Sequence, residues 1–358
     1  MTLIRDFYAL HRIPELDCTL PKTCAYVKQS LYSLRCTITT PTEGSICAYF
    51  DFGRDDAVAF RADLDALPIQ EDTGLNYTSL HAGQMHACGH DGHTAILLEL
   101  ARRLHQKRTL PHNVLLIFQP GEEQKGGAKL LCDSGILEKY KVRFIFGLHL
   151  WPKLSKGKMH GKKGAMMAQS SGITARFVGK SCHIATKKES IDALFACCRF
   201  YEQAQSLRAQ KPHLLAFGKL EGGTAGNVLC GQAALYGSLR CFDSQLHYHL
   251  RRRLFALWKQ VAAHTGCGGA LEIEEGYPAV CNDPGLFAAV CRLYPIVPLP
   301  QPSWAAEDFS FYQQKIPGAF FFLGLGDTPA LHSPQFCFDP DVLQQGVRFF
   351  ETLCERIA

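Results

Sequence analysis

The segment Met85 to His93 reads Met-His-Ala-Cys-Gly-His-Asp-Gly-His and is the densest concentration of metal-binding side chains in the chain. Thiolate, imidazole and carboxylate donors suit zinc and the borderline metals beside it. In an extended backbone alternate residues face one side, so His86, Cys88 and His90 are expected to point together, with a helix starting near Asp91 or Gly92. A single buried His or Cys is usually inert packing. Here further groups accompany them: the adjacent Glu122 and Glu123, His149, and His332. Adjacent glutamates are ordinarily solvated turn residues, but Pro120-Gly121 and Gly126-Gly127 specify a tight turn around this pair. A hydrolytic metal site needs one carboxylate to bind the ion and another to take a proton from an activated water; paired glutamates can divide that labour.

The elements that would position these groups are legible as apolar runs. Ala57–Phe60 reads as a buried strand ending in Arg61-Ala62-Asp63-Leu64-Asp65, and Val114–Phe118 as a strand running into Gln119-Pro120-Gly121-Glu122-Glu123. Phe144–Leu148 is followed by His149, and Ala319–Leu325 leads after a loop to Leu331-His332-Ser333-Pro334. Helical periodicity covers Thr94–Leu104 and Ala128–Leu137. This alternation predicts an α/β domain with a largely parallel sheet and flanking helices, in which ligands collect beyond the carboxyl ends of the strands. From about Gln169 the pattern becomes strand, helix, strand, helix, strand (173–178, 191–207, 233–239, 246–263, 271–275), a smaller α+β insert. The expected division is 1–168 with 279–358 for the first domain and 169–278 for the second.

Composition narrows the function. The 358 residues are 47% hydrophobic and 20% charged, with a formal charge of +5, ordinary for a globular protein of two domains. The basic runs Lys153–Lys163 and Arg251–Arg253 have no interleaved aromatics, which argues against nucleic acid. No run approaches the roughly 18 apolar residues of a membrane span. The first residues lack the pattern of a signal peptide. The sixteen cysteines follow no regular framework, so the reducing cytosol is the expected compartment. H-E-x-x-H, G-x-S-x-G and C-x-x-C are missing from the sequence. A nucleophilic Cys88 is conceivable, but it would leave Glu122, Glu123, His149 and His332 without roles.

Read in order, LHRIPEL (10–16), FRADLDALPIQEDTG, MHACGHDGHTA, FQPGEEQKGGA, GLHLWP, GGTAGNV (222–228), GSLRCFD (237–243), AEDFSFY (306–312) and LHSPQF (331–336) resemble one family across nearly the whole chain. It is the family of co-catalytic metallo-amidohydrolases that includes bacterial aminoacylases, hippurate hydrolases, acetyldiaminopimelate deacetylases and plant auxin-conjugate hydrolases. The resemblance implies two divalent ions, zinc or manganese first and cobalt or nickel next, held by Cys88, His90, Glu123, His149 and His332, with the Cys position near both. It implies Glu122 as general base. His183 matches a histidine that reaches into the partner subunit's active site, and Asn227 and Arg240 match positions associated with substrate. The insert matches a lid and dimerisation domain, so a homodimer is implied. The expected reaction is hydrolysis of an N-acyl amino acid. An acetyldiaminopimelate deacetylase, a dipeptidase and a silent metal-binding interaction protein are its alternatives.

The sequence departs from the family's pattern in two places. Gly121 replaces the usual Ala before the glutamate pair, and the segment after His183, Ile184-Ala185-Thr186-Lys187-Lys188, lacks the customary proline. Some roles stay open at this level. Asp63 and Asp65 could orient ligands or cap the turn that follows, and Asp91 could orient a ligand or be a helix N-cap. Arg240 could bind the substrate carboxylate or pair with an acidic residue on the sheet edge. His183 could be a surface-loop histidine.

Overall fold

The computed structural model describes Thr2–Gln124 and Gly126–Ile357. The chain forms two compact units. One holds the residues up to Met166, Val280–Pro302 and the chain from Asp308 onward; the other holds Met167–Ala279 and Ser303–Glu307. The second excursion, Ser303–Glu307, has no signal in the hydrophobic pattern.

In the larger unit four parallel strands form the middle of an eight-stranded sheet, in the order Asn113–Gln119, Ala57–Asp63, Val142–Trp151, Gly318–Gly324. Ile46–Phe50 and Thr37–Thr39 continue one side in antiparallel sense. Met159–Gly161, antiparallel to Gly318–Gly324, and then Ile296–Pro298 continue the other. Every residue of Ala57–Asp63, Asn113–Gln119 and Gly318–Gly324 is buried. Burial on both faces is why these strands read as near-continuous apolar runs rather than alternating ones. Arg61, Asp63 and Gln119 interrupt them, and all three serve the site. The expected largely parallel sheet with flanking helices is the fold observed.

Helix His90–Gln106 buries most of its surface, including Ile96, Leu97, Leu100 and Leu104, and packs against helices Thr2–His11 and Leu343–Arg356. It begins at His90, a residue earlier than expected, because Gly89 takes a left-handed φ of +84° that swings the chain into the first turn. Such a φ is costly for most other residues. Helix Pro21–Leu31 is capped from a distance: Glu15 accepts the backbone N–H groups of Lys22 (3.2 Å) and Thr23 (2.9 Å). The stretch 128–137 is two short helices, Gly127–Asp133 and Ile136–Lys139, rather than one. Gly135, at φ +75°, breaks it.

The smaller unit carries a four-stranded antiparallel sheet in the order His213–Gly222, Gln232–Cys241, Gln169–Val178, Gly268–Glu275. Helices Ala193–Gln205 and Ser244–Thr265 cover one face over a core of Phe177, Phe200, Leu239, Leu250 and Leu254. Each helix has an aspartate N-cap: Asp192 accepts from Leu194 and Phe195, and Asp243 from Leu246, each cap worth about 1 kcal/mol. Strand His213–Gly222 was not expected. It lies at the sheet edge with Leu214 and Leu220 exposed and with Leu215 and Phe217 only partly buried against the core, so its alternation is short and weak in sequence. Among the described residues, no helix is long and apolar enough to cross a membrane.

Candidate metal centre

The groups expected at the strand ends meet at one edge of the large sheet. The donor atoms of Cys88, His90 and His149 lie within 4.8 Å of one another, and so do those of Cys88, Glu123 and His332. Cys88 belongs to both sets, so the arrangement is two overlapping clusters joined at one sulfur. Its Sγ is 3.3 Å from Nε2 of His149. His90, Glu122 and Glu123 make a third set of the same size.

Backbone carbonyls decide which ring nitrogen of each histidine keeps a lone pair. Nδ1 of His90 lies 2.8 Å from the carbonyl of Asp65, and Nδ1 of His149 lies 2.7 Å from that of Leu150. A carbonyl only accepts, so each Nδ1 donates and each Nε2 is the nitrogen left to face the cluster. Nε2 of His90 is buried and has no hydrogen-bond partner, which costs roughly 1–3 kcal/mol if nothing else fills that role. A cation at Nε2 fills it, so these residues fit a metal site. His332 arrives differently, from a loop in which it holds a left-handed φ of +63°, fixed by its N–H bonding to the carbonyl of Ala87 (2.8 Å). Such strain is stored at functional positions when the surroundings over-determine it.

Asp65 holds the glutamate turn. Its two carboxylate oxygens accept the backbone N–H groups of Glu122 (3.1 Å) and Glu123 (3.0 Å), while its carbonyl takes His90. Gly127 is required at the far side of that turn, because a Cβ there would sit 1.8 Å from the carbonyl oxygen of Pro120. Asp63 accepts from Arg61 (2.7 Å) and His93 (2.5 Å) and faces Nε2 of His90 at 3.7 Å. Both aspartates therefore orient neighbours of the cluster.

Asp91 does otherwise. The N-cap of its helix is Gly89, and its carboxylate bonds to Nδ1 of His11 (2.6 Å) and to the N–H of Gly92 (2.8 Å). His86 also leaves the expected pattern. Residues 86–89 form a turn, closed by the Gly89 N–H on the His86 carbonyl, so the alternation of an extended strand does not apply. His86 is buried with neither ring nitrogen hydrogen-bonded, and burial pushes it down to about 4.

The electrostatics call for positive charge. Burial alone would lower His90, but Asp63, Asp65 and Glu123 outweigh it and push it up to about 10. Burial raises the Cys88 thiol well above its ordinary value, and Glu123 and Glu122 raise it further. Burial holds His149 neutral, well below the ordinary value, with the neighbouring His93 adding to the effect. A proton on His90 thus balances carboxylates that a divalent cation would balance instead, and a cation would also draw the proton off Cys88.

The sequence reading gave no role to the charged pair behind this cluster. Arg61 is buried in mid-strand and bonds to Asp63, to Asp308 (2.7 Å) and to Gln119 (2.9 Å). Asp308 also accepts from Gln119 and from the N–H of Ala128, and Tyr312 donates to Gln119. An arginine inside an otherwise apolar strand was the available signal, since a buried guanidinium must be paired.

In the smaller unit, His183 sits in the two-residue strand Cys182–His183, paired with Val228–Leu229. Its Nδ1 accepts the N–H of Ala185 (3.2 Å), and its Nε2 lies 3.5 Å from Nδ2 of Asn227. Both side chains are exposed. Arg240 donates to the carbonyl of Trp304 (2.5 Å) rather than to an acidic side chain on the sheet edge.

A family model described as peptidase family M20/M25/M40 matches residues 59–356. The N-acetyl-L-cysteine deacetylase of Bacillus subtilis is 32% identical over 363 residues, covering 97% of this chain and 86% of the relative. The N-acetyldiaminopimelate deacetylase of Streptococcus sanguinis is 31% identical over 351 residues, covering 93% of each. Among solved structures, a dinuclear metal-binding peptidase of the M20 family from Bacillus subtilis superposes with a TM-score of 0.87 at 31% identity, covering 98% of this chain and 96% of that one. With a family match across most of its length and relatives above 30% identity over 93% or more of this chain, the chain belongs to peptidase family M20/M25/M40 and is a metallo-amidohydrolase.

Proposed function

We propose that the protein hydrolyses the amide bond of N-acyl amino acids, N-acetyl ones first, releasing a carboxylate and a free amino acid. The observation that carries the reading is the pair of donor clusters sharing Cys88, with the buried Glu122 beside them. Relatives named as deacetylases of N-acetylcysteine and N-acetyldiaminopimelate support the substrate class. Cys88, His90, Glu123, His149 and His332 hold two divalent ions, zinc or manganese by the mixture of thiolate, imidazole and carboxylate. Bound there, the ions supply Lewis acidity toward the acyl carbonyl and lower the pKa of water.

Glu122 takes the proton of the attacking water and delivers it to the leaving amine. Asp65 fixes the turn from which Glu122 acts. The inserted unit is a lid and dimerisation domain, from which His183 donates Nε2–H to the developing oxyanion in the partner subunit's site. Asn227 and Arg240 bind the substrate carboxylate, the Trp304 carbonyl holding one arm of the guanidinium in place. Exposed Phe195, Tyr201, Leu214 and Leu220 on the inserted unit support its use as a subunit contact. Cys88 must stay reduced to serve, a condition the cytosol maintains.

The test is a panel of N-acetyl amino acids against dipeptides, with bound metal measured on the same samples. Glu122→Gln is expected to lower turnover by about 10²–10⁴-fold with metal content unchanged. Wild-type turnover in that variant would remove Glu122 from its role. Faster cleavage of dipeptides than of every acetylated substrate would overturn the substrate class.

A further inference from the structure

His93 has the appearance of a further metal ligand. Its ring lies with Asp63 and His90 in a cluster whose donor atoms are all within 4.8 Å, and it is buried at 2% exposure. Its hydrogen bonds say otherwise. Nδ1 is 2.5 Å from Oδ1 of Asp63, a carboxylate ion-paired to Arg61 and able only to accept, so Nδ1 donates. Nε2 is 2.9 Å from the backbone nitrogen of Leu150, which can only donate, so the remaining lone pair is occupied. Neither nitrogen is left for a cation.

These bonds reach the ligands from behind. Leu150 directly follows His149, and its carbonyl receives Nδ1–H of His149. The peptide groups around Leu150 are thus gripped at the amide by His93 and at the carbonyl by His149 itself, with the two rings packed edge to face at 4.7 Å. Asp63, at the other end, is immobilised by Arg61, which Asp308 and Gln119 hold in turn. All of these side chains are buried.

We infer that His93 is a positioning residue, the link whose Nε2 acceptor fixes the Leu150 amide and so the direction in which His149 presents Nε2, while the Arg61–Asp63 pair holds the ring in the tautomer that accepts there. This rests on the metal reading above and assigns His93 a place outside the ligand set. Partners that orient metal ligands from behind typically change metal affinity by about 10–100-fold when lost.

Asparagine and glutamine separate the two bonds. His93→Asn places an amide N–H near the position of Nδ1 and keeps the bond to Asp63, but leaves the Leu150 N–H without an acceptor. His93→Gln places its amide oxygen near the position of Nε2 and keeps that acceptor. Cobalt(II) titration of the metal-free full-length protein, read by visible absorption and by chelator competition, is the measurement. H93N is expected to bind two ions at saturation, with about 10–100-fold weaker affinity and an altered cobalt spectrum. H93Q is expected to return most of the affinity.

One ion instead of two at saturation in either variant would make the ring a ligand and overturn the proposal. Unchanged affinity and spectrum in folded H93N, with only a lower Tm, would reduce His93 to packing and overturn it equally. If H93N does not fold, H93Q decides alone: wild-type-like affinity supports the link and a weakening of about 10-fold or more overturns it. A wild-type chain that takes up no pair of cobalt ions overturns the metal reading itself. A normal wild type beside any adverse variant result overturns only the role of His93.

Discussion

Cys88 stands in the cluster with His90 and His149 and again in the cluster with Glu123 and His332. His332 stands only in the second and comes from an exposed loop. Loss of the sulfur should therefore weaken both ions, and loss of His332 chiefly one. Metal analysis after dialysis is expected to find Cys88→Ala well below one ion per chain and His332→Ala close to one. The reverse order would show that the sulfur does not serve both ions. The five donor residues stood out in the sequence because His90 opens a helix, His149 lies near the end of an apolar strand, Cys88 sits two residues before that helix, and Glu123 and His332 lie in loops beyond apolar strands. His86 was misread because a strand alternates and a turn does not. His93 and Arg61 were in view as residues, but their tasks depend on the Leu150 amide and on Asp308, partners 57 and 247 positions away. Spacing along a chain carries no trace of such pairings.

At the scale of elements, the segment that carries Cys88 and His90 is anchored through the first helix. His11 ends Thr2–His11 and is buried between Asp91, at the start of the His90 helix, and Glu71 (3.3 Å). Burial would lower its pKa, but the hydrogen bonds to Asp91 and Glu71 outweigh burial and push it up to about 9. A group raised in the folded state stabilises fully below its unfolded value of about 6.5, and loses that contribution as pH climbs through the folded value. The window is therefore pH 6.5 to about 9, and the contribution at stake is at most about 3 kcal/mol. Urea midpoints of the wild type should fall between pH 7 and 9.5 by more than those of His11→Gln. Parallel curves for the two proteins would dismiss this ion pair as a source of stability. The helix itself went unassigned in the sequence. The central strands were plain because burial on both faces leaves an apolar run, whereas edge strand His213–Gly222 packs Leu215 and Phe217 only partly against the core.

For the whole molecule the open matter is whether a site is finished by a second copy. The switch in hydrophobic pattern put the boundaries at 168/169 and 278/279, where the folded units change at 166/167 and 279/280, but a subunit contact has no periodicity to reveal it; exposed Phe195, Tyr201, Leu214 and Leu220 become visible only once the inserted unit is folded. If His183 serves the partner subunit, two inactive variants should rescue each other. Glu122→Gln lacks the base but keeps His183, and His183→Ala the reverse. In a mixed dimer, the site built on the His183→Ala chain has its own Glu122 and borrows an intact His183, while the other site carries both defects. Random reassortment of equal amounts makes about half the dimers mixed, so about a quarter of the sites are whole. Mixing the variants under conditions that exchange subunits should raise activity to about a quarter of wild type, and sedimentation should find dimers throughout. Activity that stays at the level of the separate variants, with exchange verified, would return His183 to its own chain or to the surface.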